Sequence, residues 1–572
     1  MYGTVSLVQP LIAPLFPSRS LTEIWGTIAG ESKKQYDALR FTWMNDQKVI
    51  GSELAWRKAL HKGLIPAGAR SIVPAANVGA SVESAVKAIQ GLKPGAEGTE
   101  LILSFDHKVG DGGRANNSWL QELPHSVTKL CWDNALLVGP ALAKKLGLVG
   151  KVIKNKYMGD VVTVAAGSAQ ISIPAFVVPG MAPNTAEVNL GYGRRNAGFI
   201  GNGVGVDAYG LVPADGSKIV AGVTLTRTGE MKDLCSTQDH FSLDWQGEGI
   251  QDMEEMNKDF QTKRPIAVTV NAKDYEANPA VVSKGSLRSI SKDVLVVKDF
   301  KKKNPQKPDR PIQLINEVFP YEGQQWGLVF DMSSCTGCNA CVIACQAENN
   351  IPIVGREEVL KGREMHWVRI DRYFSGSVNN PTAIHQPVIC LHCENAPCEP
   401  VCPVAATVHD SEGTNGMIYN RCIGTRYCAN NCPVKVRRFN YFDFTHTAHL
   451  YVADPHEKRH ETLKMQRNPD VSVRFRGVME KCSFCTQRIQ EAKFAAKRKG
   501  EDSKNLKDGS IVPACQQTCP TEAITFGNIN DPTSQVAKRK MSDRNFEMLS
   551  ELNIRPRTTY LAKLRNPHPE LG

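Results

Sequence analysis

Fifteen of the chain's seventeen cysteines lie between Asp331 and Gly527, in four short groups. The first is Cys335, Cys338, Cys341 and Cys345. The second is Cys390, Cys393, Cys398 and Cys402, followed by Pro403. The third is Cys422, Cys428 and Cys432, followed by Pro433. The fourth is Cys482, Cys485, Cys515 and Cys519, followed by Pro520. Thiols at this density imply disulfides, zinc or iron–sulfur clusters. Disulfide frameworks belong to small secreted domains that lack a core. With 572 residues, 41% hydrophobic and 22% charged, this chain can bury ordinary cores, and its length suggests roughly three to four domains. Zinc ligands come in fours without a repeated Cys-Pro ending. A c-type haem needs C-x-x-C-H, which is absent from the sequence.

Iron–sulfur ligation fits the spacing. The bacterial ferredoxin run is C-x2-C-x2-C-x3-C-P, in which the fourth cysteine crosses to the other cluster of a pair. Short steps let one tight loop present three thiolates together. The three-residue step carries the chain onward, often into a helix, so the last thiolate points elsewhere. Four complete groups would supply sixteen thiolates, and this chain supplies fifteen. The gap is at Thr425, within Cys422-Ile423-Gly424-Thr425-Arg426-Tyr427-Cys428. A threonine hydroxyl is a poor iron ligand beside thiolate. The count therefore predicts three [4Fe–4S] clusters and one [3Fe–4S] cluster. A four-iron cluster with water, hydroxide or Thr425 at the odd corner remains the alternative. Arg426, Lys435, Arg437 and Arg438 would favour the reduced form if they face that centre, or else form a solvated or docking face.

The remainder reads as an α+β chain. The net charge of +11 is scattered, and short runs such as Lys301 to Lys303 read as solvated faces, so no nucleic-acid partner is expected. Met1 to Pro17 lacks the basic start of a signal peptide and is broken by prolines. Val161 to Ala186 is uncharged, but its alternating valines and isoleucines with prolines and glycines predict strands rather than a membrane span. Residues 1–95 are mixed α/β, with helices at Ser20 to Ile28 and Ser52 to Lys62; Ser20 and Ser52 are the N-caps and Glu23 completes a capping box. Pro66 to Ala80 reads as a loop. Residues 96–225 read as a small β-barrel, with strands at Leu101 to Phe105 and Asp160 to Val164 and a helix at Pro140 to Leu146. Residues 226–320 are a connector, with a strand at Val294 to Val297 and a Lys/Pro-rich linker at Lys301 to Pro311. Residues 321–530 form the cysteine-bearing module, with strands at Trp326 to Phe330, Gly362 to Tyr373 and Ile418 to Arg421, and a basic helix at Thr486 to Lys499. The repeated cysteine groups predict two pseudo-symmetric ferredoxin-like units. Residues 531–572 read as an extended polar tail with a weak helix near Arg544 to Leu552.

Particular peptides in the barrel segment carry a resemblance. They are Asp111-Gly112-Gly113-Arg114-Ala115-Asn116-Asn117-Ser118-Trp119, Trp132-Asp133-Asn134, Gly191-Tyr192-Gly193-Arg194 and Gly203-Val204-Gly205-Val206-Asp207. This segment resembles the molybdopterin-dinucleotide-binding domain of molybdopterin oxidoreductases, a double-psi β-barrel in that family. Residues 1–95 would then be the end of the preceding α/β domain. In that family the metal ligand and half of the pterin site lie in the preceding domains, so no molybdopterin is expected here. Cys131 and Cys235 read as buried, incidental thiols.

The peptides Cys335-Thr336-Gly337-Cys338-Asn339-Ala340-Cys341, Glu348-Asn349-Asn350-Ile351-Pro352, Gly362-Arg363-Glu364-Met365-His366-Trp367, His392-Cys393-Glu394-Asn395-Ala396-Pro397-Cys398-Glu399 and Tyr419 to Cys428 carry a second resemblance. With them the second half resembles the four-cluster iron–sulfur subunits of the polysulfide and dimethyl-sulfoxide reductase family. More narrowly, the whole chain resembles the iron–sulfur subunit of alternative complex III. Two departures are a shorter first part, which suggests a split gene or a missing start, and Val434 in place of the more usual tyrosine. The resemblance implies crossed ligation. Cys335, Cys338 and Cys341 would share a cluster with Cys519. Cys482, Cys485 and Cys515 would take Cys345. Cys390, Cys393 and Cys398 would take Cys432, and Cys402, Cys422 and Cys428 would hold the three-iron cluster. It further implies a quinol:electron-acceptor oxidoreductase at the periplasmic face of the cytoplasmic membrane. A quinol-binding membrane subunit of polysulfide-reductase type and c-type haem subunits would be the partners in a hetero-oligomer. No bond chemistry is expected on this chain, and His366 and His392 read as structural. The alternatives are an electron-transfer subunit of a true molybdoenzyme, marked by molybdenum or tungsten, and a scaffold whose clusters only hold the fold, marked by failure to accept electrons from quinol.

Overall fold

The computed structural model describes residues 5–9, 13–14, 16–47, 49–65, 82–87, 98–153, 156–238, 266–283, 321, 323–444 and 465–568. The expected loop at Pro66 to Ala80, strand at Val294 to Val297 and linker at Lys301 to Pro311 lie outside these residues. The chain divides into two compact units, Met1–Pro94 and Gly95–Gly572.

In the first unit, helix Leu21–Ile28 starts where Ser20 and Glu23 cap each other: Glu23 N donates to Ser20 Oγ at 3.2 Å and Ser20 N to the Glu23 carboxylate at 2.8 Å. Helix Glu53–Lys62 is capped by Ser52 and stops at Gly63, whose φ of 69° would strain a residue with a Cβ. Trp56, Ile50, Ala59 and Ile65 form its small core, and β1 (Val5–Ser6) pairs antiparallel with β2 (Leu64–Ile65).

The second unit opens with the barrel. Its strands are β3 (Thr99–Phe105), β4 (Leu136–Val138), β5 (Lys151–Ile153), β6 (Lys156–Ala166), β7 (Ala169–Val177), β8 (Thr185–Leu190) and β9 (Ile219–Leu234). They run in the order β5-β6-β7-β4-β8-β3-β9, and β9 pairs back onto β6, so that six strands close and β5 hangs on the rim. Closure leaves few free edges. Leu101, Leu103, Leu136, Val138, Val162, Val164, Ile173 and Val188 fill the interior. The helix Pro140–Leu146 has proline in its first turn and ends on Gly147 at φ 65°, as expected. The barrel runs past its expected end at 225: residues 226–234 are the second half of β9, with Arg227 opposite Val162 and Leu234 opposite Tyr157. Their charged, outward-facing side chains made them look like a connector. Arg227 in fact holds Asp160 at 2.6 Å across the closing seam.

Beyond β10 (Thr269–Asn271) come β11 (Trp326–Asp331), the hairpin β12 (Arg369–Ser377) and β13 (Asn380–Val388), and the small pairs β14 (Thr407–His409) with β15 (Asn415–Met417) and β16 (Arg438–Phe439) with β17 (Met479–Glu480). The chain ends with β18 (Ile524–Asn528), β19 (Asn545–Phe546), β20 (Thr558–Leu561) and β21 (Lys563–Arg565). The strand expected from Gly362 begins only at Arg369, because Lys361 and Arg363 are turned back onto Glu358 by ion pairs of 2.8 Å. Ile418 to Arg421 is not a strand either. Tyr419–Arg421 is a 3-10 turn, closed by Cys422 N on Tyr419 O, which swings Cys422 inward. The basic helix is present at Thr486–Arg498.

The largest correction concerns the expected tail, of which residues 531–568 are described. These are not an extended tail. A helix at Gln535–Met541 precedes the span Arg544 to Leu552, which holds only a 3-10 turn at Ser550–Leu552, and β20 lies between β11 and β19 in the sheet β18-β11-β20-β19. Both faces of β20 are covered, so its Thr-Thr-Tyr-Leu sequence carries no alternation to reveal it. Tyr560 stacks between Phe330 and Phe546, at ring distances of 5.7 and 5.5 Å. Tyr560→Ala should therefore cost about 3–5 kcal/mol. The check is a lower urea midpoint with an unchanged slope.

Candidate functional site

The first cysteine loop leaves β11 and enters helix Ala340–Glu348, which carries Cys341 and, one turn on, Cys345. Gly337 (φ 72°) and Asn339 (φ 64°) turn the loop, and Asn339 is the last residue before the helix. A Cβ at Gly337 would run into the His385 ring. The loop at Cys422 repeats this design residue for residue. Gly424 (φ 75°) matches Gly337, and Arg426 (φ 61°), the last residue before helix Tyr427–Asn431, matches Asn339. Thr425 thereby takes the place that Cys338 holds in the first loop.

Four sets of side chains come together. Cys341 has Cys335, Cys338 and Cys519 as charge neighbours, and all four line one small cavity. Cys345 neighbours Cys482, Cys485 and Cys515. Cys393 neighbours Cys390, Cys398 and Cys432. Cys428 neighbours Cys402 and Cys422, and these three line a small cavity together with Thr425. The sets follow one another: Cys515 of the second feels Cys341 of the first, and Cys482 feels Cys390 of the third. Among the described residues no three His, Cys, Asp or Glu side chains are placed to hold a single metal ion.

Burial and mutual repulsion push Cys345, Cys393 and Cys482 up, Cys482 to about 12. Backbone donors also point at sulfur. Ala406 N reaches Cys402 Sγ at 3.2 Å, Ala523 N reaches Cys519 Sγ at 3.3 Å and Phe484 N reaches Cys482 Sγ at 3.4 Å. At Cys402, burial raises the thiol, but the N–H groups of Val404, Ala406 and Thr407 with Arg437 outweigh it and the net shift is downward. Thiols gathered in sets, with N–H groups aimed at sulfur, are a donor set that fits iron–sulfur clusters, whose iron supplies the missing counter-charge.

Of the four cations near the third and fourth sets, only Arg437 points inward. Arg426 lies over the Phe439 and Tyr441 rings, Lys435 donates to Asn430 O at 2.6 Å, and Arg438 pairs with Glu364 at 2.7 Å. Sequence reasoning names Arg437 without separating it from these three, and it misses Asn415 and Lys481, which carry no motif. His392 is fully buried, stacks on Phe484 at 3.7 Å and accepts from Asn415 N; burial holds it and His366 well below the usual imidazole range. Cys131 and Cys235 face each other with sulfurs 3.6 Å apart and join none of the four sets. The peptides that resemble a dinucleotide cradle pack on one another. The Arg194 guanidinium caps Gly112 O, and Tyr209 Oη donates to Asp111 O at 2.6 Å.

Residues 334–406 match the 4Fe-4S dicluster domain family. The iron–sulfur cluster-binding subunit of menaquinone reductase from Nitratidesulfovibrio vulgaris is 39% identical over 242 residues, 42% of this chain and 89% of that protein. The chain belongs to the family of iron–sulfur oxidoreductase subunits. Two further members are the Hdr-like menaquinol oxidoreductase iron–sulfur subunit 1 of Archaeoglobus fulgidus, 32% identical over 42% of this chain and 85% of that protein, and a putative dimethyl sulfoxide reductase iron–sulfur subunit of Halobacterium salinarum, 31% identical over 41% and 78%.

In this iron–sulfur subunit the barrel is docked onto the cysteine-bearing module by buried polar contacts. Glu122 accepts from Val354 N at 3.0 Å, Gly355 N at 2.8 Å and the Trp132 indole at 3.3 Å. Arg356 spans Asp133 and Asp233 at 3.0 and 2.9 Å. Gln238 exchanges hydrogen bonds with the Arg372 backbone. Burial pushes the Glu122 carboxyl from 4.5 to about 7, against the pull of its donors. A carboxyl raised in the folded state holds its proton more tightly there than in the unfolded chain. Its contribution is complete below about 4.5 and is lost as pH rises through about 7. Glu122→Gln should flatten the melting temperature across that pH window, whereas the unmodified protein should melt lower at the upper end.

Proposed function

We propose that this chain is a one-electron relay in a membrane-associated quinol-oxidising complex. Three sets of four cysteines would each hold a [4Fe–4S] cluster: Cys335, Cys338, Cys341 and Cys519; Cys345, Cys482, Cys485 and Cys515; and Cys390, Cys393, Cys398 and Cys432. Cys402, Cys422 and Cys428 would hold a [3Fe–4S] cluster. The clusters supply one-electron carriers. The chain's residues space them, insulate them and tune them. The observation that carries the reading is the convergence of four sets in file, with Thr425 standing where the matching loop has Cys338. The relatives named for menaquinone and menaquinol chemistry support a quinol donor. A polysulfide-reductase-type membrane subunit would deliver electrons at the three-iron end, and c-type haem subunits would receive them, as in alternative complex III, at the periplasmic face. The six-stranded barrel would be a double-psi barrel without its pterin, and the two cysteine-bearing halves would be pseudo-symmetric. Among the described residues no helix is long and apolar enough to cross a membrane.

The similarity to a dimethyl sulfoxide reductase subunit favours one other reading, an electron-transfer chain serving a molybdoenzyme. Molybdenum or tungsten in the purified assembly would select it. Thr425→Cys should gain one iron per chain and lower the potential of that centre; iron analysis and a resonance-monitored redox titration read both. An unchanged iron count in that variant contradicts the three-iron assignment. Failure of quinol to reduce any cluster in the native assembly contradicts the relay.

A further inference from the structure

Arg437 is buried, at 7% exposure, between the third and fourth cysteine sets. Its Nη2 donates to Cys398 Sγ of the third set at 3.0 Å, to Thr407 Oγ1 at 2.6 Å and to Asn415 Oδ1 at 2.9 Å. The same guanidinium lies within electrostatic reach of the Cys428 thiol of the fourth set. Lys481, 1% exposed, occupies the equivalent place one junction back. Its ammonium lies within electrostatic reach of Cys398 in the third set and Cys482 in the second, and it donates to Asn415 O and to Cys482 O. Asn415 thus grips both cations, one through its side-chain oxygen and one through its carbonyl. Asn415 is itself fixed by Glu399 at 2.6 Å and His392 at 3.1 Å.

Neither cation has a carboxylate partner among the described residues. Their buried neighbours differ in this respect: Arg438 is matched by Glu364 and Arg474 by Glu480. An uncompensated buried charge is costly, and it is tolerated where negative charge gathers beside it. Among the described residues, the charges acting most strongly on Arg437 are those of the sulfurs of Cys398, Cys390, Cys428 and Cys432. Each electron added to a neighbouring cluster adds charge of the sign that the fixed cation favours, in a medium where Coulomb energies are weakly screened.

We propose that Arg437 and Lys481 set the reduction potentials of the clusters they stand between, Arg437 for the third and fourth sets and Lys481 for the second and third. Both are positioning residues that raise those potentials and keep the inner centres fillable from a mild donor. The inference rests on the four-cluster reading.

The test is a resonance-monitored redox titration of the intact assembly carrying Arg437→Gln, Arg437→Lys or Lys481→Gln, with iron counted in each. Arg437→Gln should lower two of the four midpoint potentials, each by at least a tenfold change in the reduction equilibrium, about 59 mV for one electron. Arg437→Lys, which keeps the charge, should shift the same two by less. Lys481→Gln should lower two potentials, of which one is shared with the Arg437→Gln pair. With iron content unchanged, potentials that stay in place, or four that fall together, overturn the proposal. If Arg437→Gln loses iron, the Lys481→Gln pattern decides by the same criteria. An unmodified protein without iron would instead sink the cluster reading beneath it.

Discussion

Sulfur charge in a dry interior is the constraint that shapes the second unit. Thiols buried beside one another resist ionisation, and here burial raises nearly every one of them whose shift is resolved. Ionised sulfur is tolerated only with positive charge placed among it. Iron is one source, backbone N–H dipoles a second, and the fixed cations Arg437 and Lys481 a third. The left-handed residues Asn339, Arg426 and Cys485 follow from the same need, because each turns a loop into a helix immediately beside a cysteine set.

The loops that carry the cysteines are irregular, and something rigid must hold them. The sheet β18-β11-β20-β19 does so from one side. β11 feeds the first loop, and the C-terminal strand β20 lies against it. Arg544 clamps the end of β11 by pairing with Asp331 at 2.7 Å. The C-terminal residues from Gln535 to Leu561 are therefore part of the scaffold of the cluster site. The barrel supplies a second support through Glu122, Asp133 and Gln238, all of which engage the backbone or side chains of the cysteine-bearing module. The barrel thus serves as a buttress, and its loop at Asp111 and Gly112 is closed by Tyr209 and Arg194.

Much of this is legible in the residues. Caps and turns with local chemistry can be read at Ser20, Ser52 and Pro140, because the side chain that starts each helix bonds or fits within its own first turn. The three-plus-one composition of the cysteine sets needs a resemblance as well as spacing. Spacing brings three thiols into one loop but cannot say which distant fourth thiol closes the set.

The sequence by itself determined the four cysteine groups and the threonine at 425 where the matching loop has a cysteine, since thiol chemistry belongs to side-chain type and loop geometry to short-range steric rules. Only the tertiary structure decided which cation points inward, since Arg437 and Arg438 are adjacent in sequence yet one reaches sulfur and the other Glu364. Only it decided that Thr558 to Leu561 is a buried strand and that residues 226–234 close the barrel. The physical reason is the same in each case: burial is imposed by partners far along the chain, and a residue's own neighbours carry no record of them.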